Sequence, residues 1–161
     1  MEYKADVNIS KINENYCIHH ILKYGTPITD FLKLMIEKKC DIKIKDKRGD
    51  NSLHFFAQNK NPNIEIFKFL IEECKLDVSS LNNNIQSCLF LFKSYSFKNF
   101  EIFCYLIDQK IDVNLVDVYG FHILHHILRK TDWEIDNRLI KLLLEKKITI
   151  DSTPKKNFVT L

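Results

Sequence analysis

The chain has 161 residues, 45% of them apolar and 28% charged, with a formal net charge of +3. At about 100–200 residues per domain this is one domain, too apolar and too weakly charged for a disordered tail. Three glycines and three prolines exclude a collagen-like or low-complexity chain, and no apolar stretch approaches the ~20 residues of a membrane helix.

A near-identical tripeptide recurs along the chain: Asp6-Val7-Asn8, Asp41-Ile42-Lys43, Asp77-Val78-Ser79 and Asp112-Val113-Asn114, with a degraded fifth copy at Thr149-Ile150-Asp151. Its central residues, at 7, 42, 78, 113 and 150, stand 35, 36, 35 and 37 apart. A fixed period of this length marks stacked supersecondary units. Eleven residues past each anchor comes an apolar residue (Ile18, Leu53, Leu89, Leu124), followed by His19, His54, Phe90 or His125.

In chain order, the first unit predicts helices near 16–24 and 27–39, the second of them started by Thr26-Pro27. The second unit opens on the turn Asp46-Lys47-Arg48-Gly49, where Asp accepts local backbone hydrogen bonds and Gly takes positive φ. Its helices fall near 51–59 and 62–74, with Asn61-Pro62 as a start in which the prolyl nitrogen takes the first helical position. The third unit, helices near 87–95 and 98–110, has Ile85 in place of the turn glycine and Phe90 in place of the histidine. The fourth restores the turn as Asp117-Val118-Tyr119-Gly120 and predicts helices near 122–130 and 133–147. Apolar clusters such as Ile66-Phe67 with Leu70-Ile71 put each second helix on one buried face.

The order Asp-x-x-Gly, Leu-His, a Glu-Ile-x-x-x-Leu-Leu-like helix and then Asp-Val-Asn resembles the ankyrin repeat, best over Asp46–Val78 and Asp117–Ile150 and in register over nearly the whole chain. The resemblance implies an all-α solenoid of stacked helix–loop–helix units with turn or β-hairpin-like connections. It would form one domain over 1–161, with repeats at about 11–43, 46–79, 82–114 and 117–151 and partial repeats at 1–10 and 152–161. Each copy exceeds the family period of about 33, mostly in the loop between helices. The family's small Ala pair is replaced by Ile21-Leu22, Phe56-Ala57, Phe92-Lys93 and Ile127-Leu128, which should alter spacing and curvature.

By the same resemblance the function is non-catalytic protein–protein interaction, within a scaffold or adaptor, on the concave surface of turn tips and first helices. The positions the family exposes there are Ile12, Asn13, Asn15, Lys23 and Tyr24; Lys47, Arg48, Asp50, Gln58 and Asn59. They continue as Asn83, Asn84, Gln86, Ser94 and Tyr95, then Val118, Tyr119, Phe121, Arg129 and Lys130. Tyr16, at a first-helix end, and His122, near a turn, join them as candidate contacts. The row is mixed polar, aromatic and mildly basic, and suits an acidic or extended protein segment. The alternatives are nucleic-acid or nucleotide binding by the same surface, or an accessory region of an enzyme whose catalytic domain lies outside this chain.

No catalytic, metal or cofactor-binding residue is expected. No Gly-rich elbow surrounds a serine, no phosphate loop precedes a helix, and no Cys/His cluster has ligand spacing. The resemblance gives His19, His54 and His125 structural hydrogen bonds near the turns, while His20 and His126 face elsewhere on their helices. The basic residues are 21 Lys and 3 Arg, interleaved with acids, so nucleic acid is not the favoured partner. Five cysteines, at 17, 40, 74, 88 and 104, form no redox or zinc pair and are expected as buried free thiols of a reducing compartment. Without a signal sequence the expected location is cytoplasmic, with the nucleus as alternative and no membrane partner. Val159-Thr160-Leu161 is not the polar cap that a terminal repeat needs. The expectation is therefore a piece of a longer array, or end-to-end self-association through uncapped terminal repeats.

Overall fold

The computed structural model describes residues 6–8, 10–11, 15–92, 97–129, 137–146 and 148. Ile12, Asn13, Ser94, Tyr95, Lys130, the fifth anchor's Thr149-Ile150-Asp151 and the segment 152–161 lie outside them. A two-stranded antiparallel ladder, β1 (Ser10–Lys11) with β2 (Asn15–Tyr16), precedes α1 (Cys17–Tyr24) and α2 (Thr29–Glu37). The next unit holds α3 (Ser52–Ala57) and α4 (Ile64–Lys68), which continues as a π-helical turn over Phe69–Glu73. A single 3-10 turn, Cys88–Leu91, and another at Phe97–Asn99 lead into α5 (Phe100–Asp108). Helices α6 (Ile123–Arg129) and α7 (Asn137–Glu145) follow. First helices pack on first helices, α1 on α3 and α3 on the Cys88–Leu91 turn, and second helices on second, α4 on α5 and α5 on α7. This is a stack of helix–turn–helix units in one file.

The anchor tripeptides work as turns between units. Each leading aspartate accepts the backbone N–H two residues on: Asp6 from Asn8 and Asp41 from Lys43 at 2.9 Å, Asp77 from Ser79 at 2.9 Å, and Asp112 from Asn114 at 2.8 Å. The segment before each anchor ends in a left-handed residue, and in this glycine-poor chain that residue is lysine: Lys39 (φ 66°), Lys75 (φ 55°) and Lys110 (φ 65°). At the end of α2, Cys40 N–H donates to the Met35 carbonyl and Lys39 N–H to that of Ile36, closing a Schellman cap. The backbone there favours glycine, yet a cation complements the helix dipole.

Phenylalanines fill the space between the helix layers. Phe56, Phe67, Phe92 and Phe103 are all fully buried, with ring centroids 4.9, 5.7 and 4.6 Å apart in that order. Phe56 and Phe92 occupy the first site of the expected small pair, so the bulk noted in the sequence forms the central column of the core. Ring contacts of this kind add to area burial and tie the second unit to the third.

Two local expectations need correction. The prolines do not open the helices: Pro27 and Pro62 lie two residues before Thr29 and Ile64. The cap of α4 is Asn63, whose side chain accepts the Ile66 N–H at 2.9 Å, and α2 has Ile28 at its cap with no side-chain bond. Over its described residues, 87–92, the first helix of the third unit is also not α-helical. In the second unit Asn51 caps α3, accepting from Leu53 and His54 N–H, while His54 Nδ1 accepts the Asn51 N–H at 3.3 Å. His125 Nδ1 does the same for His122 N–H at 3.2 Å. In the third unit the corresponding residues are Ser87, which makes no cap bond, and Phe90, which has no acceptor. The reciprocal cap is gone, and the described residues there form the 3-10 turn Cys88–Leu91.

Candidate functional site

Three turn tips share one construction. Asp46 Oδ1 accepts from Arg48 N–H (2.9 Å) and Asp50 N–H (2.8 Å); Asn82 Oδ1 from Asn84 (2.9 Å) and Gln86 (3.0 Å); Asp117 Oδ1 from Tyr119 (3.0 Å) and Phe121 (3.0 Å). The residue three past each acceptor takes positive φ: Gly49 at 75°, Ile85 at 59° and Gly120 at 80°. The third tip thus keeps the turn without the glycine, with a β-branched residue in a region such residues strongly avoid. Successive tips are bonded backbone to backbone, Asn83 N–H to Arg48 O at 2.8 Å and Val118 N–H to Asn84 O at 3.0 Å.

Beneath the tips runs a buried polar spine. Arg48 reaches down to Asp46 (Nε to Oδ2, 3.2 Å) and Asp50 (3.1 Å), and Asn82 Nδ2 donates to Asp50 at 2.8 Å. One unit further on, Gln86 Nε2 donates to Asp117 Oδ2 at 3.0 Å, and His126 Nε2 to the same oxygen at 2.9 Å. Burial alone would push the Asp117 carboxyl up. The hydrogen bonds from Phe121 and Tyr119 N–H, Gln86 and His126 outweigh it and hold the group below its ordinary range.

The histidines of the repeat stitch units together. His19 Nε2 donates to the Ile44 carbonyl at 3.2 Å while its ring stacks on Phe55 at 4.1 Å. His54 Nε2 donates to the Gln86 carbonyl at 3.0 Å. Burial pushes the pKa of both rings below the ordinary histidine value, so both are held neutral. His126, expected to face away, instead turns to Asp117 of its own unit, and its ring meets that of Phe90 edge to face at 5.2 Å.

Of the expected contact residues, Asp50, Asn59, Gln86 and His122 are not exposed; all four are at most 8% accessible. Asp50 and Gln86 belong to the spine, and Asn59 Nδ2 donates to the Leu22 and Gly25 carbonyls at 2.6 and 2.9 Å. Sequence reasoning missed the spine, although a polar residue four past the turn acceptor, Asp50 and then Gln86, carried its signal. The outward members are Lys47, Arg48, Asn83, Val118, Tyr119, Tyr24 and Arg129, with Tyr16, Lys23, Gln58, Asn84 and Phe121 half-buried. Tyr119 and Val118 are 53% and 51% accessible and join Ile85 in an apolar set of tips. The Arg129 guanidinium lies 4.8 Å from the Phe121 ring centre, above a cleft of about 400 Å³ that Gln86, Tyr119 and His126 also line. Between the first two units a cleft of about 450 Å³ opens under Lys23, Tyr24, Lys47 and Arg48, with His19 and Phe55 on its floor.

The cysteines are all free thiols; Cys40 and Cys88 are buried, Cys74 and Cys104 partly so, and Cys17 is exposed at the first position of α1, against the expectation of burial. Among the described residues no group of three His, Cys, Asp or Glu side chains could hold a metal ion, and no helix is long and apolar enough to cross a membrane.

Stacked helix–turn–helix units with bonded turn tips along one edge define a helical repeat protein. The sequence model of ankyrin repeats (3 copies) matches residues 17–117, and the chain belongs to the ankyrin-repeat family. Members of this family generally serve in protein–protein interaction and are typically non-catalytic. No curated protein matches the sequence.

Proposed function

We propose that this chain is a protein-interaction module of a scaffold or adaptor, engaging an extended partner segment along the edge made by the turn tips and first helices. The observation that carries the reading is the tip ladder. Arg48 to Asn83 and Asn84 to Val118 are joined by backbone hydrogen bonds over a buried polar spine, while their neighbours Lys47, Tyr119 and Val118 project outward. A surface fixed before binding loses less conformational freedom on association, and exposed tyrosines and arginines are the side chains that most often anchor interfaces. The free thiols favour a reducing compartment, in keeping with a cytoplasmic or nuclear location. Affinity capture with Lys47→Glu/Arg129→Glu tests the reading. Partners retained by the wild type should be lost from this variant and kept by Glu37→Lys/Glu101→Lys, which alters the exposed second helices; the reverse pattern refutes it.

A further inference from the structure

We infer that the cleft between the first two units receives an aspartate or glutamate side chain from an extended peptide, with an apolar neighbour of that residue lying on the cleft's aromatic wall. The inference rests on the interaction reading above and adds the chemistry of the partner.

Charge is distributed unequally in this cleft. Arg48 is committed: its Nε and Nη2 lie 3.2 and 3.1 Å from Asp46 and Asp50, both carboxylates being buried beneath it. That arrangement fixes the guanidinium plane at the rim and compensates its charge. Lys23 and Lys47 remain. Neither ammonium has an acidic partner among the described residues, and the carboxylates of the cleft are already spent on Arg48. The Lys23 ammonium is held over aromatic faces, 5.4 Å from the Tyr24 ring centre and 6.0 Å from that of Phe55, which orients it without neutralising it. With Lys23, Lys47 and Arg48 set against Asp46 and Asp50 the cleft keeps one net positive charge, and an anion entering here meets two ammoniums without a direct ion pair at one end and apolar ring surface beside them.

Size and shape select a peptide carboxylate over nucleic acid. A cavity of about 450 Å³ admits one or two side chains, in the range of small-ligand pockets, and not a duplex backbone. The guanidinium fork that would clasp an anion two-pronged is already doubly bonded, so the cleft offers an entering group the point charges of Lys23 and Lys47.

The test is selection of random twelve-residue peptides displayed on phage against the full 161-residue chain, followed by fluorescence anisotropy of the selected peptides. The expected result is enrichment of Asp or Glu next to an apolar residue, with affinity that falls as salt rises. Lys23→Glu/Lys47→Glu should weaken these peptides by about tenfold or more, two exposed pairs each being reversed, and Lys23→Gln/Lys47→Gln should weaken them less. Lys141→Glu on α7 should leave them unchanged, and circular dichroism confirms that each variant is folded. Selected peptides without acidic enrichment that still require the Lys47 and Tyr119 tips overturn this inference and spare the interaction reading. Peptides that depend instead on the second helices, or the absence of any binder, count against both. Tighter binding of oligo-dT than of any selected peptide, lost in the same double variant, overturns the assignment in favour of nucleic acid.

Discussion

Gln86 donates its side-chain amide to the buried carboxylate of Asp117 across 3.0 Å, from one turn to the next. Asp117 is 4% accessible, so the bond satisfies a charge that has no water to turn to. Removing it leaves the carboxylate short of one of its donors in a low-dielectric site. Gln86→Ala should destabilise the fold by about 2 kcal/mol, the cost of an unsatisfied buried charged acceptor. Urea denaturation followed by circular dichroism checks this; a loss below about 0.5 kcal/mol would mean that the spine contributes little.

Ile85 takes the left-handed backbone that Gly49 and Gly120 take in the neighbouring tips, at φ 59° against 75° and 80°. A β-branched residue costs about 1–2 kcal/mol in this region, partly offset by the greater unfolded-state freedom of glycine. Ile85→Gly should therefore stabilise the protein by about 0.5–1 kcal/mol, read as a rise in thermal midpoint. Because Ile85 is exposed beside Val118 and Tyr119, no packing loss should cancel the gain. A fall in midpoint would contradict the strain.

The buried histidines give stability a pH dependence. Burial lowers the folded-state values of His19 and His54, so the unfolded chain binds more protons than the folded one as pH falls. Their contribution is complete above the unfolded value of about 6.5 and is lost as pH drops from there through the depressed folded values. Asp117, also lowered, acts in the same direction but only in the carboxylate range. The urea midpoint should be flat between about pH 7 and 8, below the range in which the buried thiols titrate in the unfolded chain, and decline from about 6.5 to 5, before most carboxylates titrate. His54→Gln should flatten that slope, and an unchanged slope would show that burial of this ring does not govern the decline.

Thiol accessibility separates the cysteines. Cys17 is exposed, whereas Cys88 is fully enclosed and its thiol is pushed up to about 12 by burial. A chromogenic disulfide reagent should label Cys17 within the mixing period of a native sample, with Cys40 and Cys88 reacting only on unfolding. Mass spectrometry of the labelled peptides identifies the site, and early modification of Cys88 would contradict its enclosure.

Much of this architecture was legible because stacking requires periodicity. The anchor aspartates, the turn acceptors Asp46 and Asp117 and the apolar faces of the second helices all recur at fixed intervals, and each recurs for a local physical reason. What escaped was the side-chain traffic between units. Nothing in the spacing says that Asn59 turns inward to the carbonyls of Leu22 and Gly25, or that Gln86 and not a tip residue meets Asp117. Those bonds join residues 31 to 37 apart, and their geometry depends on how far one unit is shifted on the next. The glycine shortage was legible, but its consequence was not: three lysines and one isoleucine carry left-handed backbone.

The central claim is that the tips and first helices form the binding edge. Its most direct test places a photo-reactive benzoylphenylalanine, one position at a time, at Tyr24 and Tyr119 on that edge and at Phe31 and Glu101 on the second helices, all four exposed. Each variant is irradiated with the display-selected peptides. Adducts at Tyr24 and Tyr119, with none at Phe31 or Glu101, are the predicted result. Adducts confined to Phe31 and Glu101 would place the interface on the opposite face and contradict the account.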